Sequence, residues 1–258
     1  GCEPSSCAYR MGVSFNMTKA VFTMMSNEKV ILPIWLSYYS RYFKGEDIYI
    51  LTHNSQEEHM RESREKFQFN ELERNYGEIF DTQEQLHIVK AFQKELLNKY
   101  DYVLYTDVDE IVVPDPDLFK DLNVFINQCT DDYVYCKGYE LTHNRELEPD
   151  LDLSQPLLQQ RKYWAFNIAI SKPLLAKVPL SWINGFHQLT IHTNENMVKA
   201  KIDPRLYLLH LKRIDWNMAK DRWEYTGYGK ATTTPFEHQF LQYQDKTELI
   251  PERFRVII

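Results

Sequence analysis

No stretch of this 258-residue sequence approaches the run of about eighteen apolar residues that a membrane-spanning helix needs, so no transmembrane segment is expected. Positive charge is not in excess either. With 37 acidic against 30 basic side chains the formal net charge is -7, the wrong sign for a groove that grips nucleic acid nonspecifically. Cysteine is scarce: the four present, Cys2, Cys7, Cys129 and Cys136, lack the spacing of a zinc knuckle, and no histidine cluster completes one. They read as reduced thiols of a cytoplasmic protein. The glycine-rich fingerprints GxGxxG and GxxxxGK(S/T) are both missing, which removes the commonest dinucleotide sites and NTPase loops. There is no internal repeat and no charged-then-apolar start of the kind a secretory leader shows.

What is present supports a packed core. Hydrophobic residues make up 43% and aromatics 14%, enough for one large α/β domain or two small ones and too apolar for disorder. The opening Gly1-Cys2-Glu3-Pro4-Ser5 would match a myristoylation signal after loss of an initiator methionine, whereas Met11-Gly12 reads as an alternative native start. The sequon Asn16-Met17-Thr18 matters only in a secreted chain. Residues 1–18 are therefore set aside as an extension.

From Lys19 the pattern becomes regular. Lys19–Met25 reads as a buried strand. Ser26-Asn27-Glu28 breaks it and is placed to cap a helix whose apolar face is Ile31, Ile34, Trp35, Tyr38, Tyr39 and Tyr42, ended by Gly45. Asp47–Thr52 is a second strand, residues 55–75 have the spacing of a solvated helix, and Thr82 opens a helix burying Leu86, Val89, Phe92, Leu96 and Leu97. Tyr102–Tyr105 is the next strand. Strand, helix, strand, helix, strand at this spacing predicts parallel βαβ units, hence a central, mostly parallel, twisted sheet flanked by helices. Beyond Pro116, short strands are expected at Tyr133–Cys136, Phe166–Ser171 and Leu206–Leu211, with helical spacing again at Asn217–Trp223. The expected division is a nucleotide-binding half over about 19–116 and an acceptor half over about 117–258, sharing one sheet.

Chemistry concentrates where Tyr102–Tyr105 runs into Thr106-Asp107-Val108-Asp109-Glu110 and then Ile111-Val112-Val113-Pro114. Apolar runs on both sides place these carboxylates at the end of a buried strand. If the segment is extended, Asp107 and Asp109 point the same way and repel unless a cation lies between them. A hard divalent ion completed by phosphate oxygens meets that need. Ligands of open parallel sheets lie outside the carboxyl ends of the strands, which gathers Thr23–Glu28, Thr52–Ser55 and Thr106–Glu110 around one crevice.

In this order, these segments resemble the GT-A-fold glycosyltransferases, family-2-like members with an Asp-x-Asp-Glu signature. The residues that carry the likeness are Asn27-Glu28 after the first strand, Thr52-His53-Asn54 after the second, Asp107-Val108-Asp109-Glu110, Arg161 to Lys172 with Trp164 inside it, Gly185-Phe186-His187, and Leu208–Arg213. The likeness spans roughly Lys19 to Trp223. It implies a GT-A-like single domain and a UDP- or GDP-sugar donor whose diphosphate is bridged by Mn²⁺ or Mg²⁺ to Asp109 and Asp107. It also implies a C-terminal histidine ligand, best matched by His210, and a glycan or other hydroxyl acceptor. The Glu-Asp pair that supplies the base in many members is not found, so inversion, the expected course, has no assigned base.

Glu140, Asp152, His187 and Asp215 are the candidate bases, with His187 and Asp152 put forward as catalytic and His187 favoured by the Gly185-Phe186 turn before it. Thr23, Asn27, Glu28, His53, Lys90, Thr106 and Asp107 are the candidate nucleotide and phosphate contacts. Each has a plainer reading: Asn27 and Glu28 as helix caps, Lys90 as a surface lysine, His187 as a loop histidine, His210 as a satisfied strand histidine, the paired aspartates as turn formers. Trp164, Trp182 and Trp216 are core residues or sugar-stacking platforms. Two other functions fit paired carboxylates or sugar recognition: a metal-dependent nucleotidyl or phosphoryl transferase, and a noncatalytic carbohydrate-binding module.

Overall fold

The computed structural model describes residues 17–55, 57–78, 81–190, 201–225 and 234–255. Residues 1–16, with Cys2, Cys7, Met11 and the sequon's Asn16, lie outside the described residues, as do Thr232 and Thr233. Cys129 and Cys136 are buried free thiols.

Strand β1 (Lys19–Met25) is buried from Ala20 onward. It pairs in parallel with β2 (Ile48–Thr52) on one side and β4 (Tyr102–Tyr105) on the other, and β2 pairs in parallel with β3 (Asn70–Glu73). Continuous apolar runs suit parallel strands covered on both faces. The crossovers are α1 (Ile31–Tyr39), α2 (Glu57–Lys66) and α3 (Thr82–Leu96). Helix α1 buries Ile31, Leu32, Trp35, Leu36, Tyr38 and Tyr39 and tolerates Pro33 in its first turn, where a backbone N–H has no helical acceptor. Helix α3 is capped by Asp81, whose carboxylate accepts the N–H groups of Gln83 and Glu84.

Several expectations change in this half, the first being that α1 stops at Tyr39, short of Tyr42 and Gly45. Ser26, Asn27 and Glu28 do not cap α1; the N-cap is Val30, without a side-chain bond. Asn27 instead takes φ 54 and turns the chain off the end of β1. Residues 55–75 are not one helix: α2 stops at Lys66 and β3 follows. Phe67, Phe69 and Leu72 pack on the core among polar and charged neighbours, and a short, charged strand suits the sheet edge that β3 occupies. Leu97 lies just past the end of α3 and is half-buried.

The second half extends the same sheet to ten strands. β4 pairs antiparallel with β8 (Lys172–Ala176), β8 with β6 (Tyr133–Thr142), β6 with β7 (Tyr163–Phe166), and β7 with β10 (Glu248–Leu249). β9 (Ile202–Arg213) runs parallel to β6 and antiparallel to β5 (Glu110–Pro114). Helices α4 (Leu122–Gln128), α5 (Leu157–Gln160), α6 (Trp216–Tyr225) and α7 (Phe236–Leu241) also lie among the described residues. The result is one α/β domain, a helix-flanked mixed sheet with a Rossmann-like parallel block β3-β2-β1-β4. The strand expected at Phe166–Ser171 is a turn. Asn167 accepts the N–H of Ala169 and closes a 3-10 turn over Ile168–Ile170, and the strand proper begins at Lys172. Pro173 hides that strand from a sequence reading, because proline weakens any strand assignment. No helix among the described residues is long and apolar enough to cross a membrane.

Candidate active site

The acidic segment does not lie extended. β4 ends at Tyr105, and Asp107–Asp109 form a turn closed by the Glu110 N–H on the Asp107 carbonyl at 3.0 Å. The indole N–H of Trp35 donates to Thr106 Oγ1 at 2.8 Å, and the Leu211 N–H donates to the Asp109 carbonyl at 2.8 Å. The two aspartates therefore diverge, and the charge that each needs comes from a different protein cation.

Asp109 faces β9 and α6. Its Oδ2 is 2.6 Å from Arg222 Nη1 and 3.4 Å from His210 Nε2. Arg222 also grips Glu28 with both Nε and Nη2, at 2.7 to 3.0 Å. Strand register explains His210: it lies opposite Glu110 on β5 and opposite Glu140 on β6, so three titratable side chains line up across neighbouring strands. His210 Nδ1 is 3.0 Å from Glu140 Oε1, off the line of a hydrogen bond, and Glu140 Oε2 accepts from Arg213 Nη1 at 2.8 Å. Burial works against charge on His210, but the carboxylates of Glu140 and Asp109 outweigh it and push the imidazole up to about 10. Burial likewise opposes ionisation of Asp109, and Arg222 and His210 more than reverse it, holding its carboxyl well below the usual range.

Asp107 faces β8. Its Oδ2 is 2.6 Å from the Lys172 ammonium and its Oδ1 accepts the Tyr105 hydroxyl at 2.8 Å. The same ammonium is 2.7 Å from Glu110. One cation thus serves two carboxylates, and burial pushes Glu110 up to about 7 despite Lys172. Lys172, disfavoured as an ion by burial, is held above its ordinary value by Asp107 and Glu110.

The Gly185 loop brings His187 to this side. Gly185 has φ +73, and a Cβ there would stand 2.6 Å from the His187 ring, so only glycine lets the loop fold back so closely. The Tyr135 hydroxyl donates to the His187 carbonyl. Burial, then Lys172, lowers the His187 imidazole to about 4. Its Nδ1 is buried without a hydrogen-bond partner among the described residues. Lys90, on α3, donates to the Trp182 carbonyl at 3.3 Å and borders a cavity of about 410 Å³ with Gln83, Glu84, Leu86 and His87.

The other sequence candidates separate into groups. Asn27 and His53 lie just past the ends of β1 and β2, where the Asn27 N–H donates to Ser55 Oγ and the His53 ring stacks on Tyr76 at 3.8 Å. Thr23 and Thr106 are fully buried, Thr106 with its hydroxyl on Trp35. Asp152 is exposed, and its carboxylate is spent on the N–H and hydroxyl of Ser154 in its own turn. Asp215 is buried on Arg161 at 2.8 Å and caps α6 through the Met218 N–H. Trp164 stacks on Tyr139 and Trp182 donates to the Pro173 carbonyl, both buried; Trp216 lies between Arg145 and two phenylalanines. Lys172 and Arg213 end segments that carry the resemblance and Arg222 lies in a helical run, but no individual role is expected of any of the three from the sequence.

A second group, His143, Asp150 and Asp215, places three ligand atoms within 4.8 Å of one another, spacing that could hold a metal ion. Its hydrogen bonds are already assigned. His143 Nδ1 accepts the Trp216 N–H and Nε2 faces the Glu148 carbonyl, while Asp215 takes Arg161 and the Leu151 N–H. Arg161 pairs with Asp215 there at 2.8 Å, and the same aspartate caps the start of α6.

Neither a protein-family model nor a curated protein matches the chain. Among solved structures, a mannose-1-phosphate geranyltransferase from Thermus thermophilus is similar at a TM-score of 0.35 and 8% identity, over 88% of this chain and 68% of that one. A likeness this weak says nothing of activity. The site has to speak for itself.

Proposed function

We propose that this chain is a metal-dependent glycosyltransferase of GT-A-like architecture that moves a sugar from a UDP- or GDP-sugar to a hydroxyl of a glycan, with inversion. The observation that carries the reading is Asp109 Oδ2 facing His210 Nε2 at 3.4 Å, with Glu140 behind the other ring nitrogen. A carboxylate and an imidazole backed by a second carboxylate would form a donor set for Mn²⁺ or Mg²⁺ once the ion displaces the proton that His210 carries. Asp109 and His210 would hold the ion. Asp107, expected as a ligand too, is taken by Lys172 and Tyr105 and would serve to shape the turn. The ion would stabilise the charge that gathers on the departing diphosphate.

The remaining roles follow from position. Residues 19–116 would form the nucleotide half, whose strands β1, β2 and β4 end on one edge. There Thr23, Asn27 and His53 would border the nucleoside, and Lys90 the phosphates. Residues 117–258 would form the acceptor half. His187, neutral at physiological pH, would accept the acceptor's proton.

Incubating the protein with a panel of nucleotide sugars, Mn²⁺ and glycan acceptors should release nucleoside diphosphate from one donor, and EDTA should stop it. Undiminished turnover in EDTA would overturn the reading. Release of pyrophosphate would point to nucleotidyl transfer, and sugar binding without turnover to a binding module.

A further inference from the structure

Arg222 stands where an ion would stand. Its Nη1 contacts Asp109 Oδ2, the same oxygen that faces His210 Nε2. Two donors 3.4 Å apart suit neighbouring ligands of one small ion, each about 2.1 Å from it. An arginine nitrogen 2.6 Å from that oxygen would then face a dication across a single carboxylate oxygen, and the two like charges would repel at that distance. The arginine's attachments to these two carboxylates are unequal. It meets Asp109 with one nitrogen and Glu28 with two, in the forked geometry that makes arginine–carboxylate pairs strong. Its side chain is 19% exposed, which leaves it a route outward.

We propose that Arg222 is a built-in counter-cation of Asp109 that divalent ions displace: it neutralises the carboxylate in the ion-free protein and swings off it, hinged on Glu28, when an ion binds. This rests on the metal site proposed above. Every ion must then compete with a tethered guanidinium, so the wild-type chain holds Mn²⁺ more weakly than the donor set alone would. The chain has placed an arginine on α6 against a carboxylate it could have left to the ion, and Glu28 grips that arginine with a forked pair of bonds.

Mn²⁺ alone is the probe, read by the EPR signal of the free ion in titrations of the full chain, with circular dichroism confirming each fold. Arg222→Gln should tighten Mn²⁺ binding about tenfold or more, Arg222→Lys should fall between it and wild type, and Asp109→Ala should abolish binding in either background. If Asp109→Ala removes the ion while Arg222→Gln leaves its affinity unchanged or weaker, the displacement is wrong and the metal site stands. If Asp109→Ala binds Mn²⁺ as wild type does, the metal site itself is wrong and the displacement falls with it. Should Arg222→Gln unfold, Arg222→Lys alone decides: affinity equal to or below that of wild type overturns the proposal.

Discussion

Replacing Lys172 by methionine keeps the length of the side chain and removes the one cation shared by Asp107 and Glu110. The ammonium lies 2.6 Å from the first and 2.7 Å from the second, with the lysine side chain 4% exposed and that of Glu110 1%. Taking one partner from a buried pair costs about 3–5 kcal/mol. Two features hold the loss to the low end. Asp107 is 28% exposed and can be hydrated, and burial already sets Glu110 at about 7, so it can protonate near neutrality at little cost. The expected loss at pH 7 is about 3 kcal/mol, roughly 6 °C in melting temperature for a chain of this size. The sign of its pH dependence follows from Glu110. Without Lys172 its folded value rises further above the ordinary 4.5, so the folded variant binds more protons than the unfolded one and loses stability as pH rises through that window. The deficit should therefore shrink from pH 7 to pH 5, and Glu110→Gln added to Lys172→Met should recover much of it at pH 7. Urea unfolding followed by far-ultraviolet circular dichroism in chelator measures all three. A variant within about 0.5 kcal/mol of wild type at pH 7, or a deficit that grows on acidification, would refute the reasoning.

Asp109→Ala should slow donor turnover about a hundredfold or more with the fold intact, whereas Asp115→Ala should spare the chemical step and cost stability, about 1–3 kcal/mol, because buried Asp115 accepts the Tyr207 hydroxyl and pairs with Arg253. Kinetics and melting of the two variants side by side decide it. The His187 ring should titrate near 4 in NMR spectra; its depressed value means that the stability it contributes is complete above its ordinary 6.5 and is lost as pH falls toward 4. A midpoint of 6 to 7 would contradict its burial against Lys172. Gly185→Ala should cost about 1–2 kcal/mol for its left-handed backbone and displace His187, so turnover should fall with nucleotide affinity unchanged; equal activity would mean that the loop's close approach is incidental.

Much of residues 19–116 was legible because its signals are local. A parallel strand covered on both faces is a short unbroken apolar run, as in Ala20–Met25 and Tyr102–Tyr105, and α3 shows its stripe at Leu86, Val89, Phe92 and Leu96. β3 escaped because an edge strand alternates between charge and apolar contact, which over four residues passes for a helix. In the second half, β6 and β9 run well past the short stretches expected at Tyr133–Cys136 and Leu206–Leu211, since half-buried antiparallel strands mix polar with apolar residues.

The sequence by itself determined that carboxylates gather at Thr106–Glu110 after a buried strand, and that a histidine follows in the apolar run Leu206–Leu211, because both facts are matters of neighbours along the chain. Only the tertiary structure decided what each carboxylate meets. Lys172 reaches Asp107 across 65 positions and Arg222 reaches Asp109 across 113. His210 stands between Glu110 and Glu140 because β9 settles between β5 and β6 with His210 directly opposite both. A slip of one residue would turn its imidazole to the other face of the sheet. Such pairings depend on strand order and register, which arise when distant apolar faces pack together, and no local pattern of residues records them.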